Sequence, residues 1–256
     1  PAPGQLTHQP TEGHVGFDAV DLAACDEKGV VVTVTPGVNH HAVAEHTFAL
    51  LMGVARGFPQ RHDRVMSGRW VREPHPRVMG STIGIVGLGR IGKQVAKRLT
   101  GFDTRTIYHD IVEVGSDVRQ ALKAELVAFD DLLRESDIVS LHVPLTSRTR
   151  GMMSDREFGM MKPTAYLINT CRGRVVDEAA LCRALKDGEI AAAGLDVLQE
   201  EPTPTDNPLL DMDNVLITPH MATSSQESRL QTTVFAWDNI MRVLSGETAE
   251  SLATPQ

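Results

Sequence analysis

Three residues bring together the side chains needed to handle a proton and a negative charge beside a reacting carbon: Arg172, Glu201 and His220. A hydride leaves a carbon that bears a hydroxyl only if the hydroxyl proton leaves too. Such chemistry therefore needs a base that works near neutral pH and a cation for the substrate's charge. Arg172 follows the run Leu167-Ile168-Asn169-Thr170-Cys171, and its planar fork suits a bidentate grip on a carboxylate next to the reacting carbon. Glu201 follows Gly194-Leu195-Asp196-Val197, and His220 follows Leu216-Ile217-Thr218-Pro219. A carboxylate held against the imidazole would fix its tautomer and favour its protonated form. Each residue also has a structural reading: Arg172 as a surface cation beside a turn, Glu201 as part of an acidic loop, His220 as a cap after a strand. Spacing by itself does not choose between the two.

The elements that must position these side chains follow from hydrophobic periodicity. Between residues 80 and 220, short apolar runs at 83–86, 104–109, 138–142, 165–169, 192–197 and 215–218 alternate with amphipathic segments. This pattern predicts an α/β fold with a doubly wound parallel sheet covered by helices on both faces, each crossover right-handed. The helices expected between the strands cover 93–99, with Val95, Ala96 and Leu99 on one side, then 129–134 and 178–186. Asp177 is the N-cap of the last and Gly188 its C-cap. All three chemical residues then fall at or just beyond C-terminal strand ends, the edge at which such sheets bind ligands.

The first apolar run leads directly into Gly87-Leu88-Gly89-Arg90-Ile91-Gly92. Gly87 permits a sharp turn, Gly89 lets the backbone approach a pyrophosphate, and Gly92 lets the following helix pack closely on the sheet. The helix N-terminus supplies N–H donors. Eighteen residues past Gly92 stands Asp110, where a carboxylate accepts hydrogen bonds from an adenosine ribose. The cofactor expected is NAD, with NADP disfavoured by that carboxylate.

The N-terminal part differs in kind. A helix over 18–28 closed by Gly29, a buried strand over 30–34 and a long apolar helix over 43–56 are expected, together with a final helix over 226–244. A net charge of −8 with no basic cluster interleaved with aromatics argues against a nucleic-acid partner. Cys25, Cys171 and Cys182 are too few and too scattered for a disulfide framework or a zinc site, so free thiols, no metal and a cytoplasmic location are expected. No apolar run reaches membrane-spanning length.

Six segments in order resemble the NAD-dependent D-2-hydroxyacid dehydrogenase family, which includes D-3-phosphoglycerate, glyoxylate/hydroxypyruvate and D-lactate dehydrogenases. They are Val43-Ala44-Glu45-His46, the glycine-rich turn, Leu141-His142-Val143-Pro144-Leu145-Thr146, Ile168-Asn169-Thr170-Cys171-Arg172-Gly173, Gly194-Leu195-Asp196-Val197 with Glu201-Pro202, and Thr218-Pro219-His220. The resemblance implies that Arg172, Glu201 and His220 are the catalytic residues. It implies that Arg90 and Ile91 cradle the pyrophosphate and that Asp196 holds the nicotinamide carboxamide. His142, Val143, Pro144, Thr149, Thr170 and Cys171 would line the cofactor cleft beside Arg172 and His220. Val15 and Gly16, the second half of a substrate-gripping loop, would meet the substrate with Arg172 and His220.

By the same resemblance residues 1–74 form the remaining part of a flavodoxin-like substrate domain plus an interdomain or dimer helix. Residues 75–222 form a Rossmann-type NAD domain, and residues 223–256 a C-terminal helix returning to the substrate domain. A homodimer is implied, and relatives carry some sixty to seventy further residues ahead of Gly13, so a fragment of a longer enzyme is expected. The expected reaction is reversible hydride transfer between NAD(H) and C2 of a small 2-hydroxy or 2-oxo acid. The alternatives are an NAD(H)-dependent corepressor-like interaction protein and a truncated inactive paralogue.

Overall fold

The computed structural model describes Gly16 and residues 20–253. Chain contacts divide it into two units, one made of Pro1–Ala42 with Thr223–Gln256 and the other of Val43–Ala222. The division runs at Val43, within a helix, whereas the family resemblance implies a boundary between residues 74 and 75.

Among the described residues the helices are α1 (Leu22–Glu27), α2 (His40–Arg56), α3 (Phe58–Met66), α4 (Arg90–Leu99), α5 (Ser116–Leu122), α6 (Phe129–Glu135), α7 (Asp155–Phe158), α8 (Glu178–Asp187) and α9 (Gln226–Leu244). The strands are β1 (Thr82–Val86), β2 (Arg105–His109), β3 (Ala124–Leu126), β4 (Ile138–Leu141), β5 (Tyr166–Asn169), β6 (Ala192–Leu195) and β7 (Val215–Ile217). They form one sheet in the order β3-β2-β1-β4-β5-β6-β7, every pairing parallel. The doubly wound sheet read from the sequence is therefore present.

Strand side chains feed two cores. On one face Ile83, Ile85, Tyr108 and Ile168 pack with Leu50, Leu51 and Ala55 of α2 and with Val95, Ala96 and Leu99 of α4. On the other Val86, Val139, Leu141, Leu167 and Leu195 pack with Leu132 and Leu133 of α6 and Leu181 and Leu185 of α8. Leu50 and Leu51 are buried almost completely, which contributes roughly 1.5–3 kcal/mol for each side chain. A Cβ at Gly53 would lie 2.6 Å from Leu216 of β7, so α2 reaches the sheet at van der Waals distance. The caps of α8 are those expected: Asp177 accepts from the Ala180 N–H, and Gly188 closes the helix at φ +73°.

In the other unit two expectations are corrected. The helix expected over 18–28 is described only as α1, capped by the Asp21 carboxylate on the Ala24 N–H. Residues 17–19 lie outside the described residues. Segment 30–34 is not a buried strand: Val31 is exposed, its neighbours are half-buried, and one antiparallel bridge, Thr33 to Leu252, is its ladder. Among the described residues the segment pairs with the chain around 251–253, through Val34 N–H to Ser251 O and Ala253 N–H to Val32 O, and Val30 N–H donates to Cys25 O. Among the described residues one bridge covers one edge of the segment, and the apolar run stands half-buried.

Candidate active site

The strand order reverses between β1 and β4, and at such a switch point the C-terminal ends diverge and open a crevice. Gly87 leaves β1 at φ +93°, and a Cβ there would lie 2.6 Å from the carbonyl oxygen of His142, the residue after β4. Only glycine combines that backbone with that approach. A Cβ at Gly92 would overlap the Gly87 carbonyl, which ties the first turn of α4 to the turn before it. Gly89 is the opposite case: a Cβ there would meet nothing within 4 Å. It is the N-cap of a ten-residue helix without a side-chain cap, so the first-turn N–H groups, beginning at Arg90 and Ile91, keep their capacity for an external acceptor.

Asp110, just past β2, is pinned beside this turn. Its Oδ2 accepts the Leu88 N–H at 2.6 Å and its Oδ1 the Val112 N–H at 2.8 Å. Each carboxylate oxygen has a second lone pair for a hydroxyl. Open space at Gly89, an uncapped helix and a fixed carboxylate one strand away suit the pyrophosphate and ribose of a dinucleotide.

Beyond β4, burial pushes the His142 imidazole down to about 3, so the ring is neutral. Its Nε2 pairs with Ser140 Oγ at 2.9 Å, while its buried Nδ1 has no hydrogen-bond partner among the described residues. In the turn that follows, Thr149 Oγ1 donates to Pro144 O and accepts the Thr146 N–H, so this hydroxyl shapes its own loop.

The other half of the site is built from the ends of β5, β6 and β7. Asn169 closes β5 and folds the next loop around its amide: Oδ1 accepts the Cys171 N–H and thiol, and Nδ2 donates to Arg172 O. Burial pushes the Cys171 thiol up to about 11, which keeps it protonated and unreactive. Arg172 donates to the Cys171 carbonyl at 2.7 Å. A Cβ at Gly173 would overlap the Leu198 carbonyl, so the Arg172 loop lies directly on the segment after β6. That segment fixes Glu201, whose Oε1 accepts the Leu198 N–H at 3.0 Å.

Glu201 Oε2 lies 2.6 Å from His220 Nδ1, with the two side chains 37% and 26% exposed. A carboxylate only accepts, so Nδ1 carries the proton and Nε2 is the nitrogen that can exchange one with a substrate. His220 holds φ +50°, a left-handed conformation that costs a non-glycine residue on the order of 1–3 kcal/mol. Asp196 offsets that cost. Its carbonyl accepts the His220 N–H at 2.8 Å, and its carboxylate accepts the N–H groups of Met221 at 2.9 Å and Ala222 at 2.8 Å and the Thr218 hydroxyl at 2.6 Å. Burial alone would raise the Asp196 carboxyl, but hydrogen bonds from His46, Thr218, Met221 and Ala222 outweigh it and hold the group below its ordinary value.

Residues 48–222 match the NAD binding domain of the D-isomer specific 2-hydroxyacid dehydrogenases. The chain belongs to this family. It is 43% identical over 248 residues to the glyoxylate reductase of Korarchaeum cryptofilum, covering 94% of this chain and 74% of that protein. It is 39% identical over 234 residues to the D-3-phosphoglycerate dehydrogenase of Archaeoglobus fulgidus, covering 91% of this chain and 44% of that protein. Among solved structures, the D-lactate dehydrogenase of Aquifex aeolicus complexed with NAD and lactic acid superposes with a TM-score of 0.84 at 33% identity, over 91% of this chain and 75% of that one. The nucleotide of this dehydrogenase family is NAD, and its reaction class is hydride transfer to and from 2-hydroxy acids.

Within this family member the glycine-rich turn, Asp110 and the loop after β4 gather at the switch point, while contacts run from Arg172 through Gly173 and Leu198 to Glu201 and His220. The carboxylate that resemblance assigns to the nicotinamide amide, Asp196, is fully buried and takes its donors from the His220 loop and α2. Val15 lies outside the described residues, and Gly16 belongs to the other unit. Sequence reasoning assigned no role to Asn169, Thr218, His46 or Thr47. Their hydrogen bonds join segments far apart in sequence or bond the backbone of their own loop, and such contacts leave no signature in spacing.

Proposed function

We propose that this chain catalyses the reversible reduction of a small, unphosphorylated 2-oxo acid of the glyoxylate type by NADH. The observation that carries this reading is the Glu201–His220 pair at 2.6 Å beyond the carboxyl edge of the sheet. It supplies an imidazole with a defined tautomer beside a loop that presents a guanidinium. The names of the relatives, glyoxylate reductase above all, support the choice of acid.

Bound at the glycine-rich turn, NADH supplies the hydride that C2 receives. Arg172 grips the substrate carboxylate and draws charge from the C2 carbonyl. His220 Nε2 gives its proton to the carbonyl oxygen as C2 becomes tetrahedral, and takes it back in the oxidative direction. Glu201 holds the Nδ1 proton in both directions and offsets the imidazolium charge. Asp110, fixed beside the turn by the Leu88 and Val112 N–H groups, would accept hydrogen bonds from the ribose hydroxyls of NAD and would repel the 2′-phosphate of NADP. Cys25, Cys171 and Cys182 are free thiols.

The test is oxidation of NADH by the protein in the presence of glyoxylate, hydroxypyruvate, pyruvate and 3-phosphohydroxypyruvate. Turnover is expected with glyoxylate and hydroxypyruvate and to be weakest with the phosphorylated acid. Tight NADH binding with no turnover on any of the four would overturn the enzymatic reading in favour of a nucleotide-sensing one.

A further inference from the structure

Two adjacent residues of α2, His46 and Thr47, touch the two loops that carry His220 and Arg172, although 172 and 123 positions of sequence separate them from their partners. His46 Nε2 lies 2.8 Å from Thr218 Oγ1 and 3.2 Å from Asp196 Oδ1, and Thr218 Oγ1 in turn donates to Asp196 Oδ1 at 2.6 Å. A hydroxyl has one proton. Thr218 gives it to Asp196, so it can only accept from His46, and the carboxylate can only accept as well. His46 therefore carries its proton on Nε2 and donates toward both.

The single hydroxyl proton constrains Thr47 in the same way. Its hydroxyl donates to Val43 O at 2.8 Å, so in the 3.0 Å contact with Thr170 Oγ1 it accepts and Thr170 donates. Thr47 is completely buried and Thr170 nearly so, with Arg172 two residues further on. The helix that presents the pair cannot drift, because Leu50 and Val54 press on Gly194 of β6 and Gly53 on Leu216 of β7.

We infer that His46 and Thr47 are positioning residues through which α2 sets the geometry of the two halves of the reaction centre: His46, by way of Thr218 and Asp196, the left-handed His220; Thr47, by way of Thr170, the loop of Arg172. This rests on the roles proposed above for His220 and Arg172. It predicts a division of labour that generic packing does not. Loss of the His46 link lets His220 leave the Nδ1–H form held by Glu201, so kcat falls. Loss of the Thr47 link loosens Arg172, so KM for the oxo acid rises.

The experiment uses protein labelled with 15N-histidine, with the His220 signals assigned by their absence in His220→Ala. Wild type, His46→Phe, His46→Gln, Thr218→Val and Thr47→Val are compared for imidazole 15N tautomer signature, NADH binding by fluorescence, and kcat and KM with glyoxylate. In His46→Phe and Thr218→Val the His220 signature is expected to move from pure Nδ1–H toward a mixture, and kcat to fall about tenfold or more. The NADH Kd is expected to stay within about twofold. His46→Gln, whose amide can still donate to Thr218, is expected to recover most of both. Thr47→Val is expected to raise KM about tenfold while leaving the His220 signature as in wild type.

A His220 signature unchanged in both His46→Phe and Thr218→Val overturns the inference for His46. An unchanged KM in Thr47→Val overturns it for Thr47. Thermal unfolding separates lost fold from lost positioning, since a purely structural role lowers Tm and leaves the tautomer alone. If wild type reduces no 2-oxo acid, the reductase reading fails while the tautomer signature still decides the His46 link.

Discussion

Asp196 acts as an anion, and its environment favours that form only while the chain is folded. Its carboxyl is held below the ordinary value, so its stabilising contribution is complete above the carboxyl range of the unfolded chain, about 4, and is lost as pH falls through the lower folded value. Asp196→Asn keeps the size but turns one acceptor into a donor. It then faces the Ala222 N–H or the donors from Thr218 and Met221, and at least one buried donor loses its partner, at a cost of about 1–3 kcal/mol. Urea midpoints of wild type and variant should be well separated at about pH 7 and converge as pH falls below the ordinary carboxyl range of about 4, where the wild-type carboxylate gives up its advantage. A gap that persists undiminished into acid would show that the charge is not what holds the loop. At the pair itself, His220→Ala should lower turnover of 2-oxo acids roughly a hundredfold or more, the usual worth of a positioned proton-transfer group. Wild-type turnover in that variant would remove His220 from the mechanism.

At the scale of elements, the glycine-rich turn makes two opposite predictions from residues three apart. Gly92→Ala drives a methyl group into the Gly87 carbonyl, so the turn or α4 must shift, at a cost of about 1–3 kcal/mol visible in thermal unfolding. Gly89→Ala meets no protein atom and should leave Tm almost unchanged. It should nevertheless weaken NADH binding by about tenfold or more, because the methyl occupies the approach to the uncapped helix. Equal Tm losses, or an unweakened NADH Kd in Gly89→Ala, would separate the turn from the nucleotide. The same turn shows which elements a sequence can reveal. Buried parallel strands read as continuous apolar runs, so β1, β4, β5 and β6 were legible, and β2, exposed at Arg105, and the half-buried edge strand β7 keep enough apolar residues to be legible too. The edge strand β3 was not, since two of its three residues face solvent and leave no run. The short helices α3, α5 and α7 likewise lack a full period of apolar residues. At the site, Gly87, Gly89, Gly92 and Asp110 were legible because each answers a backbone requirement at a fixed spacing. Arg172, Glu201 and His220 needed the order of all six motifs, and the contacts of His46 and Thr47 exist only once α2 lies across β6 and β7.

At the scale of the whole molecule, the unit that holds the sheet exposes apolar residues beside the helix implicated in the site. Phe58, Val65 and Met66 share one face of α3, and Trp70 and Val71 follow it, with Met66 73% and Trp70 75% exposed. A tryptophan and four large apolar neighbours lie exposed together here, and contiguous apolar surface of this kind is what a partner can cover. An isologous contact between two copies would cover the same residues on both. Trp and Met are enriched at the centres of such contacts. We propose a homodimer through this face. Light scattering should give twice the chain mass, and Met66→Glu with Trp70→Ser should give the single mass with an intact fold by circular dichroism. Because α3 follows α2 after Gly57 alone, separation of the copies should also reach the centre through His46 and Thr47, lowering kcat and raising KM for the oxo acid without changing the NADH Kd. A dimer that survives both substitutions would place the contact elsewhere. A monomer with wild-type kcat would uncouple assembly from the positioning that α2 provides.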